Sequence, residues 1–132
     1  MADPCVTVRP IGPERIVAVF DTGRPGPDAA AIGPDTWLMI GGDADVAAGI
    51  DVSDSYAGFA VTGPSAADVF AQGIALDLDR AVAGFVARTR LGDVAVLLWR
   101  MPDGFVVRCE RSYADWLAAW LARAVRLSAG GI

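Results

Sequence analysis

The stretch Val94-Ala95-Val96-Leu97-Leu98-Trp99-Arg100-Met101-Pro102-Asp103-Gly104-Phe105-Val106-Val107-Arg108-Cys109-Glu110 decides the fold class. Six apolar residues run without a break from Val94 to Trp99, as expected of a strand covered on both faces. Met101-Pro102-Asp103-Gly104 supplies hairpin chemistry, because proline presets φ and glycine accepts a positive φ. The return strand, Phe105 to Glu110, puts Phe105, Val107 and Cys109 on one face. Val106, Arg108 and Glu110 fall on the other. Val86 to Leu91 reads as a further strand just before this hairpin.

Working outward, Ser112 is the expected N-cap of a last helix, with Asp115 three residues later in a capping-box arrangement. Tyr113, Trp116, Leu117, Trp120, Leu121 and Ala124 recur at helical spacing and form one broad apolar stripe, expected to be buried. A second capped helix is predicted from Ser65 to about Gln72, ending at Gly73 in the left-handed C′ position. Both units share the pattern S-x-A-D-φ-φ-A directly after a strand. Upstream, Val6 to Arg9, Arg15 to Phe20 and Thr36 to Ile40 read as short strands, with the Gly- and Pro-rich loop DTGRPGPD at 21–28 between them. A helical turn is placed in 43–49, and a strand pair at Ile50-Asp51-Val52 and Tyr56 to Thr62. The expectation is a single α+β domain over 1–132, a mostly antiparallel sheet with two or three helices packed on one face.

Composition narrows the chemistry. The 132 residues contain no His, no Lys and no Asn, and the one side-chain amide is Gln72. Without His there is no Ser-His or Cys-His nucleophile pair. Without Lys there is no Walker A loop and no Schiff base. Two cysteines, Cys5 and Cys109, do not make a four-ligand zinc site. Eleven Arg face sixteen acids, for a net charge of −5, which argues against nucleic acid as partner. No apolar stretch approaches the roughly 20 residues of a membrane span. The opening Met1-Ala2-Asp3-Pro4 lacks the marks of a secretory signal, so a cytoplasmic location is expected.

Few polar residues invite a catalytic role. Asp77 and Asp79 share one side of an extended segment and are expected to be solvated loop carboxylates. Arg88, Arg90, Arg100, Arg108 and Arg111 lie in or beside strands. They are suited to gripping a carboxylate or phosphate, to cross-strand pairing with acids such as Glu110, or to facing another polypeptide. Cys5 and Cys109 read as buried small hydrophobes. Gly63-Pro64-Ser65 is a turn and a cap. No catalytic, cofactor-binding or metal-ligating residue is assigned.

Hydrophobic residues make up 54% of the chain and mean hydropathy is +0.42, high for a lone soluble domain. Helices cover one face of a sheet; another part of the chain or another protein must cover the second face of Val94 to Trp99. This surplus, with four tryptophans, favours a subunit. Trp37, Trp99 and Arg100 are the candidate contacts with a partner.

Five segments together resemble one family. Gly33-Pro34-Asp35-Thr36-Trp37-Leu38 resembles the G-P-D-E-W-L signature of the gamma subunit of heterotetrameric sarcosine oxidase. Asp51-Val52-Ser53-Asp54 with Val61-Thr62-Gly63-Pro64 resembles its D-V-S and S-G-P elements. Gly73-Ile74-Ala75-Leu76-Asp77-Leu78 is similar to G-C-P-L-D-L, with Ile-Ala in place of Cys-Pro. Ala87-Arg88-Thr89-Arg90-Leu91-Gly92 resembles a strand of the family, and Arg111-Ser112-Tyr113-Ala114-Asp115 matches R-S-Y-A-D. The resemblance implies a fold like part of the glycine cleavage T protein and related folate-binding proteins. It implies a non-catalytic gamma chain in a complex that oxidatively demethylates sarcosine or a related N-methyl amino acid and passes one carbon to tetrahydrofolate. FAD, FMN, NAD, tetrahydrofolate and zinc then belong to alpha, beta and delta partners. The alternatives are a stand-alone folate-binding module and an orphan α+β scaffold.

Overall fold

The computed structural model describes residues 6–12, 14–26, 29–41 and 49–130, with the side chains at 79, 129 and 130 left aside. Cys5, most of the turn expected in 43–49 and the carboxylate of Asp79 lie outside the described residues. In chain order the elements are β1 (Thr7–Pro10), β2 (Ile16–Phe20), β3 (Ala30–Gly33), β4 (Thr36–Ile40), β5 (Ile50–Asp51) and β6 (Tyr56–Thr62). Helix α1 (Ala66–Ala71), β7 (Val86–Leu91), β8 (Val94–Met101), β9 (Gly104–Glu110) and helix α2 (Ala114–Gly130) follow.

The strands form two antiparallel sheets. One has five strands in the order β1-β6-β9-β8-β7, and the other has four in the order β3-β4-β2-β5. The α+β class and the antiparallel pairing are as expected, whereas the second sheet is an addition the sequence reading did not contain. The long hairpin forms with Met101 opposite Gly104 and Trp99 opposite Val106. Its glycine answers to a close approach as well as to the turn: a Cβ on Gly104 would lie 2.1 Å from the Val61 carbonyl oxygen of β6.

Alternation along β8 divides its side chains between two cores. Val94, Val96 and Leu98 face α1 and α2, in one core with Phe105, Val107 and Cys109 of β9 and Val61 of β6. Leu97 points the opposite way into a second core with Ile16, Ala18 and Leu38, and Trp99 packs against that core. On the second face of Val94 to Trp99, Leu97 is covered by the chain's own four-stranded sheet, while Ala95 and Trp99 are half-buried. The layers run helices, five-stranded sheet, four-stranded sheet.

The helices differ in detail from the expectation. Ser112 lies inside a 3-10 turn, Arg111–Tyr113, that precedes α2 and has no side-chain cap bond. Ser65 does stand at the N-cap of α1, but its hydroxyl makes no cap bond either. Gly73 is absent from the positive-φ glycines. It is small for another reason: a Cβ there would meet Trp120 and Leu91, each at 2.7 Å. Of the α2 stripe, Leu117, Leu121 and Ala124 are buried, while Trp116 and Tyr113 remain 40% and 43% exposed. Full burial of a leucine stabilises by about 1.5–3 kcal/mol, so Leu117 and Leu121 are enough to seat the helix. Gln72 adds a polar tie, donating through Nε2 to the Ala124 carbonyl and the Ser128 hydroxyl, both at 2.9 Å.

Candidate partner interface

Trp37 lies apart from Trp99 and Arg100, which are neighbours on β8 with their side chains toward opposite faces of its sheet. On β4, Trp37 pairs with Val19, on the side of the four-stranded sheet that faces away from the five-stranded one. Its Nε1 donates to the Asp21 carbonyl at 3.2 Å, and the Arg24 guanidinium lies 5.2 Å over its ring. Trp99 is half-buried between the sheets. Arg100 donates to three carbonyls of its own chain, those of Met101, Gly104 at 2.8 Å and Ala81 at 3.3 Å. Its guanidinium also lies 5.1 Å over Phe105. It closes the β8–β9 hairpin from within. Trp99 and Arg100 do line one shared groove of about 380 Å³, but Trp37 is not part of it.

Arg108 realises the carboxylate-gripping option inside the molecule. It is 7% exposed and forms a bidentate pair with Glu14, and its guanidinium sits 4.5 Å over Trp99. Gly58 opposite leaves room for its stem, since a Cβ there would come within 3.1 Å of the Arg108 Cγ. Glu14 was not singled out from sequence. Its one signal is that it is one of two glutamates in a chain of fourteen aspartates, and the longer side chain reaches further. Arg111 likewise serves its own fold, donating to the Asp54 and Tyr56 carbonyls. Asp77 is a solvated loop carboxylate as expected, 3.4 Å from the exposed Arg80.

Asp51 and Ser53 of the D-V-S element have a structural task. The Asp51 carboxylate accepts from the Ser53 backbone N–H at 2.9 Å and from its hydroxyl at 2.6 Å. The same hydroxyl oxygen accepts from the Ile16 N–H at 2.8 Å, which anchors the start of β2. These bonds hold the Asp51 carboxyl below its usual range, the hydroxyl bond contributing most.

Arg88 and Arg90 are placed differently. They stand two residues apart on β7, opposite Leu97 and Ala95, on the side toward the second sheet. Both line a cleft of about 360 Å³ with Tyr56 and Tyr113. Arg90 donates to the Asp93 carbonyl at 2.6 Å. Arg88 makes no hydrogen bond or ion pair among the described residues. Burial raises the Tyr56 phenol above its usual pKa, the Glu110 charge adds to this, and the Arg88 charge opposes it. A guanidinium is permanently charged, and the two arginines share this cleft with Asp93 and Glu110.

Among the described residues, no helix is long and apolar enough to cross a membrane, and no group of three His, Cys, Asp or Glu side chains could hold a metal ion. No family model matches the sequence. No curated protein matches it either. The fold, however, is known. A chain of the heterotetrameric sarcosine oxidase from Corynebacterium sp. U-96, solved in complex with pyrrole 2-carboxylate, superposes with a TM-score of 0.82 at 16% identity. The match covers 97% of this chain and 88% of that one, so the two share one architecture nearly end to end.

Proposed function

We propose that this chain is a gamma-type, non-catalytic subunit of a multisubunit flavin-dependent oxidoreductase of the sarcosine oxidase kind. Its role is assembly and stabilisation of the complex. The observation that carries the reading is the end-to-end fold match to a chain of a heterotetrameric enzyme. The ordered motifs from Gly33 to Asp115 support it and point to gamma among the subunits. In this reading FAD, FMN, NAD, tetrahydrofolate and zinc are held by alpha, beta and delta partners. The complex removes the methyl group of sarcosine or a related N-methyl amino acid and delivers one carbon to tetrahydrofolate. The arginines of this chain that are tied up in its own hairpin, turns and inter-sheet pair are consistent with a scaffold rather than a reaction centre.

The test is purification of the tagged chain from its own cells under mild conditions. The expected result is stoichiometric recovery of yellow, flavin-bearing chains that generate peroxide from an N-methyl amino acid. A monodisperse single chain that binds tetrahydrofolate by itself would replace this reading with a folate-binding module.

A further inference from the structure

We infer that Arg88 and Arg90 of β7, with Tyr113 and Trp116 of α2, form the seat of a partner polypeptide. The partner places a carboxylate side chain between the two guanidiniums and an apolar side chain against Trp116. The inference rests on the subunit reading above and deepens it by naming the surface and the chemistry of its occupant.

Three observations make this one surface. Tyr113 lines the same cleft as Arg88 and Arg90. Trp116 lies over the β7–β8 turn, where a Cβ on Gly92 would be 3.7 Å from its ring. β7 is also the edge strand of its sheet, and Arg88 and Arg90 are exposed on it. Charge then selects the occupant. In a chain of net charge −5, Arg88 has no acid within ion-pair distance among the described residues, and Arg90 is bonded only to a carbonyl there. An incoming carboxylate gains two charge-assisted partners that the chain itself leaves unmatched. Asp93 and Glu110 also line the cleft. They repel a multiply charged free anion more than a single carboxylate held at one spot by its own backbone. The half-exposed aromatics beside the cleft extend the contact beyond the reach of a small ion. Exposed aromatics next to arginines are the composition that protein interfaces favour.

The experiment uses the full chain and the flavin-bearing chains that co-purify with it, separated and recombined. Binding is measured for wild type, Arg88→Glu/Arg90→Glu and Trp116→Ala, each checked by a thermal melt. Amide exchange is followed on the wild-type complex. Anchors of this kind cost 2 kcal/mol or more when truncated, so a loss of about 30-fold is expected for each variant, with amides of 86–91 and 113–117 protected in the complex. If the variants bind within twofold and these amides exchange freely, the surface is wrong while the subunit reading stands. If a variant fails to fold, the exchange pattern of the wild-type complex decides alone. Protection of the same amides by millimolar acetate or inorganic phosphate without any partner would assign the cleft to a small anion and overturn the inference. If no flavin-bearing chain co-purifies, the subunit reading fails and this inference goes with it.

Discussion

Arg108 on β9 and Glu14, in the segment between β1 and β2, are joined by two parallel hydrogen bonds, Nε to Oε2 at 2.9 Å and Nη2 to Oε1 at 2.7 Å. Ninety-four positions separate them in sequence. The pair ties the five-stranded sheet to the entry of the four-stranded one, while Trp99 covers one face of the guanidinium. Two-point geometry and burial make it stronger than an ordinary surface pair.

Breaking that pair from one side strands a charge. Removing one partner of a fully buried pair costs about 3–5 kcal/mol. The Glu14 side chain is 23% exposed, so Glu14→Leu is expected to cost less, about 2–3 kcal/mol. The double variant Glu14→Leu/Arg108→Met should lose less than the sum of the two single losses, because no unpaired charge is left behind. Urea unfolding of the three variants measures this. Additive losses would mean that the two side chains act independently.

Gly104→Ala tests the contact between β9 and β6. The added Cβ would sit 2.1 Å from the Val61 carbonyl oxygen and 2.7 Å from the Thr62 Cα, both backbone atoms that cannot rotate away. Overpacking typically costs about 1–3 kcal/mol, and this site belongs at the upper end. Gly23→Ala is the control, since a Cβ there has nothing within 4 Å. Equal melting temperatures for the two variants would show that the sheet shifts freely to make room.

The hairpin from Val94 to Glu110 was legible because both its cues are local: an unbroken apolar run and a Pro-Asp-Gly turn. The face assignment on β9 was legible for the same reason, since side chains alternate strictly. The cover of the second face was not. It comes from Ile16, Ala18 and Leu38, some sixty or more positions away from Leu97. Short strands at long separation carry no periodic signal of which sheet they join. Part of the apolar surplus that favours a partner therefore lies between the two sheets. Trp116 fails in the opposite sense. Its helical spacing matches that of the buried Leu117, but it stands on the shoulder of the stripe beside Gly92 rather than over the core. Periodicity fixes a direction, and only packing fixes a depth. The arginines kept three alternatives open from sequence because their choice of partner is likewise long-range: Arg108 found Glu14, Arg100 found carbonyls, and Arg88 found none among the described residues.

Ser112→Ala should be nearly silent. An N-cap serine contributes about 1 kcal/mol through its side-chain bond, but the turn holding Ser112 has no such bond and the residue is exposed. A change within about 0.5 kcal/mol, the range of ordinary surface substitutions, is expected. A loss of a full N-cap's worth in a chemical melt would mean that the hydroxyl caps α2 in solution.

Cys109 gives the pH-dependent prediction. Its thiol is 1% exposed, and burial, aided by the neighbouring Glu110 charge, pushes its pKa from 9.0 up to about 11. Between these values the unfolded chain has released the proton and the folded chain still holds it. The folded state binds more protons there, so stability falls as pH rises above about 9 and is unaffected by this group below it. Replacing Cys109 with Ala should flatten the decline between pH 9 and 11 relative to wild type, whatever its cost at neutral pH. The thiol itself should be inert, since the thiolate is the reactive form and here it is both scarce and enclosed. In a Cys5→Ser background at pH 8, a disulfide-exchange reagent should label Cys109 only as fast as the sheet opens, and fully in denaturant. Prompt labelling of the native chain would place the Cys109 side chain outside the core and remove the reason for its raised pKa.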